Sequence, residues 1–323
     1  MRLLALVLLL ALPAPAARRP VKVPAVTREV AVTFDDLPGV AVARPDPGGS
    51  PDSSLAAMTA RLIATLKAER VPAVAFANEG KLGRAGVPAA NRVALLRAWR
   101  DAKFELGNHT ADHRDFHRVG LAAFEEDVVA GEPVVRSLLA ESGTRLRWFR
   151  HPFLHTGTTL DDKRALEAFL SRRGYRIAPV TIDNSEWIFA RAYADALDSG
   201  NHALAGRVAS AYVPYMEAKL DYFERQSIEL FGREIRQVLL VHANSLNADH
   251  FGEIVGMMRR RGYAFVTLDR ALADPAYATP DTFVGRGGIT WLHRWAISTG
   301  SGVLPDEPRT PPFVLAAASV KEE

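Results

Sequence analysis

Seven short apolar runs punctuate this chain, near residues 29–36, 72–78, 103–108, 146–150, 175–182, 237–243 and 263–268. Between most of them lie stretches with apolar residues at helical spacing, roughly 54–70, 89–102, 119–140, 159–173 and 247–261. Strand-like runs alternating with amphipathic helices call for crossover connections, and these make the strands parallel with helices packed outside. The expected class is therefore α/β, and seven strands suit an open or incomplete barrel. Residues 188–234 break the rhythm with helical periodicity and Tyr193, Tyr212, Tyr215 and Tyr222, where one short crossover would suffice. We read this as a helical insertion whose tyrosines serve packing. After Asp274 the chain turns rich in Pro and Gly, with Trp291, His293, Arg294 and Trp295 embedded in it, and from about Leu304 it reads as a loosely ordered tail. Packing is favoured over sugar stacking for that tryptophan segment. No internal repeat or linker marks a second domain, so the expected layout is one domain over 28–275 and an irregular extension over 276–323.

Composition narrows the setting. With 323 residues and 48% hydrophobic content, the chain can bury a core of barrel size. The formal charge of +3 comes without a Lys/Arg run or a basic stripe, so nucleic acid is not expected as a partner. Cysteine is absent, which excludes disulfides and thiolate metal sites. Arg2, the apolar run Leu3–Leu12 and the small residues up to Ala17 have the layout of a secretory signal over 1–17. Its apolar run is too short for a comfortable membrane span. The mature chain is thus expected to be exported, periplasmic or secreted, with no membrane span left after cleavage. No protein partner is inferred.

Polar residues gather where the apolar runs end. Asp35 and Asp36 close the first, and His109-Thr-Ala-Asp-His113 follows the third. Arg150-His-Pro152-Phe153 follows the fourth, Asp183-Asn-Ser-Glu186-Trp187 the fifth, and His242 ends Val-Leu-Leu-Val in the sixth. In a parallel barrel all these ends share one face, where catalytic groups collect. Strand alternation would send Asp35 and Asp36 different ways, one to a cation and one to a substrate. Two histidines four residues apart on a helical turn point the same way and can share a metal. With an aspartate from another strand end they make a set of two His and one carboxylate, leaving positions for water and substrate. Zinc is the default for such donors, and cobalt, nickel or iron suit them too. His117 continues the spacing and is read as structural.

Taken in order, Thr33-Phe-Asp35-Asp36, His109-Thr-x-x-His113, Arg150-x-Pro152-Phe153, the Asp183–Trp187 segment and Leu240-Val-His242 resemble the five motifs of the polysaccharide deacetylase family (carbohydrate esterase family 4). The resemblance covers about 28–270. It implies a distorted (β/α)7 barrel and a metal-dependent hydrolase that removes acetyl groups from N-acetylated sugars or, in some members, O-acetyl groups from xylan. It further implies Asp35 as catalytic base, Asp36, His109 and His113 as metal ligands, and Arg150 as the residue holding the base. Phe153, after Pro152, matches a position whose backbone N–H helps bind the oxyanion. His242 matches the general acid, Leu240 resembles a wall of the acetyl pocket, and Trp187 is expected among the substrate-binding residues with Pro152 and Phe153. The fourth motif usually ends Asp-Trp, whereas Glu186-Trp187 stands here, so either Glu186 or Asp183 is the expected partner of His242. Ala243 replaces an acidic residue often found there. His151 and His155 flank the third motif unusually and are read as structural or substrate-shaping.

The leading expectation is an N-deacetylase acting on a peptidoglycan fragment, chitin oligomer or surface polysaccharide. The alternatives are an O-acetyl esterase on a xylan-like polymer, a catalytically inactive carbohydrate-binding barrel, and a hydrolase of small non-sugar amides.

Overall fold

A computed structural model describes residues 28–44, 50–84 and 86–322. The signal-like segment 1–17 lies outside the described residues. Seven strands form one sheet: β1 (Arg28–Leu37), β2 (Ala73–Ala77), β3 (Glu105–Asn108), β4 (Trp148–Phe149), β5 (Arg176–Ile177), β6 (Gln237–His242) and β7 (Tyr263–Phe265). All pair in parallel, in the order β5-β4-β3-β2-β1-β6, while β7 pairs with the first residues of β1. The sheet curls until its ends meet. Ile182, beyond β5, bridges to Leu239 in β6, and Leu240 N–H donates to Ile182 O at 3.2 Å. The result is a distorted (β/α)7-type barrel with an irregular seam. The fifth apolar run is therefore no continuous strand: only 176–177 is regular, and 178–182 bends to close the ring.

Alternation along β1 sorts its residues to two cores. Val30, Val32 and Phe34 face outward into the main core beneath the helices, where the Phe34 ring meets Trp99 at 5.5 Å and Phe251 at 5.2 Å. Ala31 faces inward, into a smaller cluster with Val74, Phe76, Trp148, Ala178 and Val238. Thr33 and Asp35 share its parity, which turns them to the barrel interior. Burial on both faces explains why the strands read as near-continuous apolar runs.

The helices used below are α1 (Pro51–Ala68), α2 (Ala90–Asp101), α3 (Leu121–Ala130), α4 (Pro133–Glu141), α5 (Leu160–Arg172), α6 (Glu186–Asp198), α7 (His202–Phe231), α8 (Ser245–Arg260), α9 (Trp291–Thr299) and α10 (Pro312–Ala317). Ser50, Thr159 and Asn244 cap α1, α5 and α8 with side-chain acceptors, as such residues do at helix starts. Three differences from the sequence expectation have clear causes. The helix anticipated over 119–140 is split into α3 and α4 at Gly131-Glu132, with Pro133 opening the second. A Cβ on Gly131 would lie 2.6 Å from the Thr110 carbonyl carbon, so the break admits the loop that carries His109 and His113. The insertion begins at Glu186 and consists of α6 and α7. The tail is ordered: α10 packs against α6, and Val314 and Ala318 are buried. Trp291, His293, Arg294, Trp295, Tyr212, Tyr215 and Tyr222 are all buried. Among the described residues, no helix is long and apolar enough to cross a membrane.

Candidate active site

The end of β1 departs from strand alternation. Asp36 has φ 72°, in the left-handed region, and the β1–β2 register shifts between Phe34 and Leu37. A non-glycine residue held there costs on the order of 1–3 kcal/mol, and such strain collects at functional sites. The irregularity turns both carboxylates to one centre, correcting the expectation that they diverge. His109 Nε2 lies 3.8 Å from Asp35 Oδ2 and 3.9 Å from Asp36 Oδ1, and His113 Nε2 lies 3.7 Å from Asp36 Oδ1.

His109 and His113 do not stand on a helical turn. Residues 109–115 form a loop with positive φ at Thr110 (65°) and His113 (55°). Side chains hold it in place of a helical ladder. Asn108 Oδ1 accepts from Thr110 N–H at 2.7 Å, and Thr110 Oγ1 accepts from His113 N–H at 3.0 Å. The Asp127 carboxylate accepts from the N–H groups of Asp112 and Arg114, and Asn78 Nδ2 donates to His109 O at 2.5 Å. His109 Nδ1–H donates to the Arg150 carbonyl at 2.8 Å, which fixes the tautomer and leaves Nε2 as a lone-pair donor toward Asp36. Burial lowers His109 to about 3 against the pull of Asp36. It lowers His113 to about 4, with help from His109. Both rings are therefore neutral near pH 7. Burial would raise Asp36, but Lys81 and the histidines around it hold the carboxyl well below its ordinary value.

Arg150 is fully buried and stretches across the barrel interior over the Phe76 ring. Its Nε donates to Ala178 O at 2.9 Å, Nη2 to Thr33 Oγ1 at 2.9 Å and Nη1 to Asp35 Oδ2 at 3.3 Å. Burial raises the Asp35 pKa, and Arg150 opposes the rise. Asp35 Oδ1 is buried without a hydrogen-bond partner.

His242 is the register partner of Asp35 on the neighbouring strand. Its Nδ1 meets Glu186 Oε2 at 2.8 Å, and Glu186 Oε1 accepts from Asn247 Nδ2 at 2.7 Å and from Asn244 Nδ2. Tyr212 O–H donates in turn to Asn247 Oδ1 at 2.7 Å, so the insertion supports this carboxylate. Burial alone would lower His242, but Glu186 dominates and raises it to about 9. Asp183 is not its hydrogen-bond partner: that carboxylate accepts from Asn184 N–H at 2.8 Å.

The centre opens into a cleft of about 1610 Å³. Leu240 and Asp183 line its floor, and the exposed rings of Phe153 (53%) and Trp187 (46%) also border it. Pro152 is buried, and Phe153 takes φ 56° with its ring 4.5 Å from that of His113. His151 is buried beside the cleft against Phe149, and burial depresses its pKa. His155 and His117 stack at 3.9 Å near Asp115. Parallel rings do not aim their lone pairs at one point, and His117 Nε2 already accepts from Gly157 N–H at 3.0 Å. His155 Nδ1 is likewise partnered, by Asp115 Oδ1 at 2.6 Å.

Two contributors carried no signal in the sequence. Lys81 Nζ sits 3.0 Å from Asp36 Oδ1 as an ion pair outside hydrogen-bond geometry. The extension reaches the site from the other side: residues 304–312 form one wall of the cleft, tied down by Lys219–Glu307 at 2.7 Å and Tyr222 O–H to Leu304 O at 2.8 Å.

Comparison with known proteins gives the following. Residues 22–169 match the sequence family described as polysaccharide deacetylase. No curated protein sequence matches the chain significantly. Similar solved structures include a polysaccharide deacetylase from Bacillus cereus, at 16% identity over 74% of this chain and 91% of that one, with a TM-score of 0.47. A family 4 carbohydrate esterase from Streptomyces lividans in complex with acetate is 18% identical over 76% and 95%, at 0.45. A family 4 pseudoenzyme from Bacillus anthracis is 13% identical over 77% and 66%, at 0.49.

Proposed function

We propose that this chain, whose residues 22–169 match the polysaccharide deacetylase family, is a metal-dependent hydrolase removing acetyl groups from an N-acetylated saccharide. The observation that carries the proposal is the convergence of two differently prepared proton carriers on one ligand-like centre. Asp36, His109 and His113 bring one donor atom each to within 4.8 Å of one another. Both rings are neutral, the His109 tautomer is fixed, and Asp36 is ionised, which is the donor chemistry a divalent cation needs. Zinc suits the set, and cobalt or nickel would fit the same donors. Bound there, the cation would acidify water and take up negative charge on a carbonyl oxygen.

The chain's own groups supply the rest. Asp35, aimed by Arg150 and raised by burial, accepts a proton from water. Opposite it, His242 is held protonated by Glu186 and delivers a proton to the departing nitrogen, without which an amine leaves poorly. The peptide N–H of Phe153 would donate to the developing oxyanion, and Leu240 would bound the acetyl methyl, both residues lining the cleft. Trp187 offers an apolar plate to a sugar face. The same groups would serve an ester, so an O-acetyl polymer is the competing substrate. The leader-like segment 1–17 supports action outside the cytoplasm.

Acetate release from chitin oligomers, peptidoglycan, poly-N-acetylglucosamine and acetylxylan, each with and without zinc after chelation, is the direct test. Release from none of them sinks the hydrolase reading, and release from acetylxylan alone selects the esterase. Asp35→Asn should lower turnover by about 10²–10⁴-fold, the usual range for acid–base help, while zinc stoichiometry stays at the wild-type level. Near-wild-type turnover would remove Asp35 from the role of base.

A further inference from the structure

A cation already stands at the proposed metal centre. Lys81 belongs to the short 3₁₀ turn Glu79–Leu82 after β2, outside every motif, and its Nζ lies 3.0 Å from Asp36 Oδ1. The same oxygen faces His113 Nε2 at 3.7 Å and His109 Nε2 at 3.9 Å. The turn itself is pinned. Gly80 N–H donates to Ala111 O at 3.0 Å, and a Cβ on Gly80 would collide with Asp112 Oδ1 at 2.4 Å. The Glu79 carboxylate accepts from the N–H groups of Val134 and Val135 at the start of α4, and Arg92 donates to Lys81 O at 2.8 Å. The Lys81 side chain, by contrast, is 35% exposed. On this fixed backbone the ammonium sits at Asp36 while its side chain keeps part of its surface in solvent.

We propose that Lys81 is a built-in competitor for the divalent cation. In metal-free protein its ammonium compensates the buried Asp36 carboxylate, which would otherwise be costly to keep ionised away from water. When a cation arrives at the same oxygen, two positive charges repel across a few ångströms, and the more solvent-accessible one leaves. Whatever Lys81 contributes to the metal-free state is subtracted from metal affinity, because a ligand gains only its differential interaction with the two states. The site thus loads more weakly and more reversibly than its donors alone would allow. This rests on the reading of Asp36, His109 and His113 as the ligand set.

The test is calorimetric titration of zinc into chelator-stripped wild type, Lys81→Met, Lys81→Gln and Lys81→Arg, with melting curves of each in chelator. Lys81→Met and Lys81→Gln should bind zinc more tightly, by roughly 5- to 150-fold, the usual span for coupled sites. Both should melt below wild type in chelator and recover in zinc, whereas Lys81→Arg, which keeps the charge, should stay near wild type in both measurements. Equal or weaker zinc affinity in Lys81→Met and Lys81→Gln, with wild type binding one equivalent, overturns the competitor alone. No zinc uptake by any of the four overturns the competitor and the ligand set together.

Discussion

His242 shows how one neighbour decides a residue's chemistry. Its pKa, raised to about 9 through Glu186, lies above the ordinary 6.5. The proton on His242 and the stability it lends are therefore fully present below about 6.5 and lost as pH rises through about 9. Glu186→Gln removes the charge that holds the proton, so burial is left to draw the pKa down. The alkaline limb of kcat/KM should move to lower pH, with activity at pH 8 falling more than activity at pH 6. An unchanged limb would remove Glu186 from this role. The sequence left Glu186 and Asp183 equal, because spacing along a loop does not say which carboxylate turns to the strand beyond the α6–α7 crossover. Lys81 was hidden for a different reason: a lysine after a strand looks the same in sequence whether it faces water or a buried aspartate. Asp35 and Asp36 were legible as a pair, but their convergence depends on a left-handed φ that nothing in Phe-Asp-Asp announces.

Among the elements, α9 and the segment just before it grip the loop that carries Phe153. Arg294 donates to Ile289 O at 2.9 Å, to Thr156 Oγ1 at 2.6 Å and to Leu154 O. Its guanidinium also lies over the Trp291 ring. Gly288 packs so closely that a Cβ there would fall 1.7 Å from Phe153 O, with only backbone to yield. Gly288→Ala should therefore shift the Phe153 peptide. A misplacement near 1 Å at a reacting group can cost about 10²-fold, so kcat should fall by about 10- to 100-fold. Zinc affinity should hold, since the proposed ligands stand on β1 and the 109–115 loop. Loss of zinc binding together with kcat would instead mean a general disturbance of the barrel end. The helix α10 and the wall over 304–312 escaped sequence reading because a six-residue helix spans too little to display periodicity, and its order comes from packing on α6. The strands were legible because burial on both faces writes an uninterrupted apolar run.

At the scale of the molecule, the site is a knot among strands that meet nowhere else in sequence. Asp36 comes from β1, His109 follows β3, Arg150 follows β4 and His242 ends β6. Arg150 alone binds β1 through Asp35 and Thr33 and binds the seam through Ala178 O. A cation held by Asp36, His109 and His113 would tie β1 to the loop beyond β3, so its binding energy would act on that barrel end. Free metal at 100 times its Kd adds about 2.7 kcal/mol to stability. At roughly 2–4 °C per kcal/mol for domains of 150–250 residues, that is a rise of about 5–10 °C in Tm. Wild-type protein in excess zinc should thus melt higher than in chelator by about that much. His109→Ala with His113→Ala should abolish the difference, while the chelator curve itself falls, because a buried ring and its hydrogen bond to Arg150 O are lost. A zinc-induced rise that survives the double substitution would place the stabilising cation at some other group of donors.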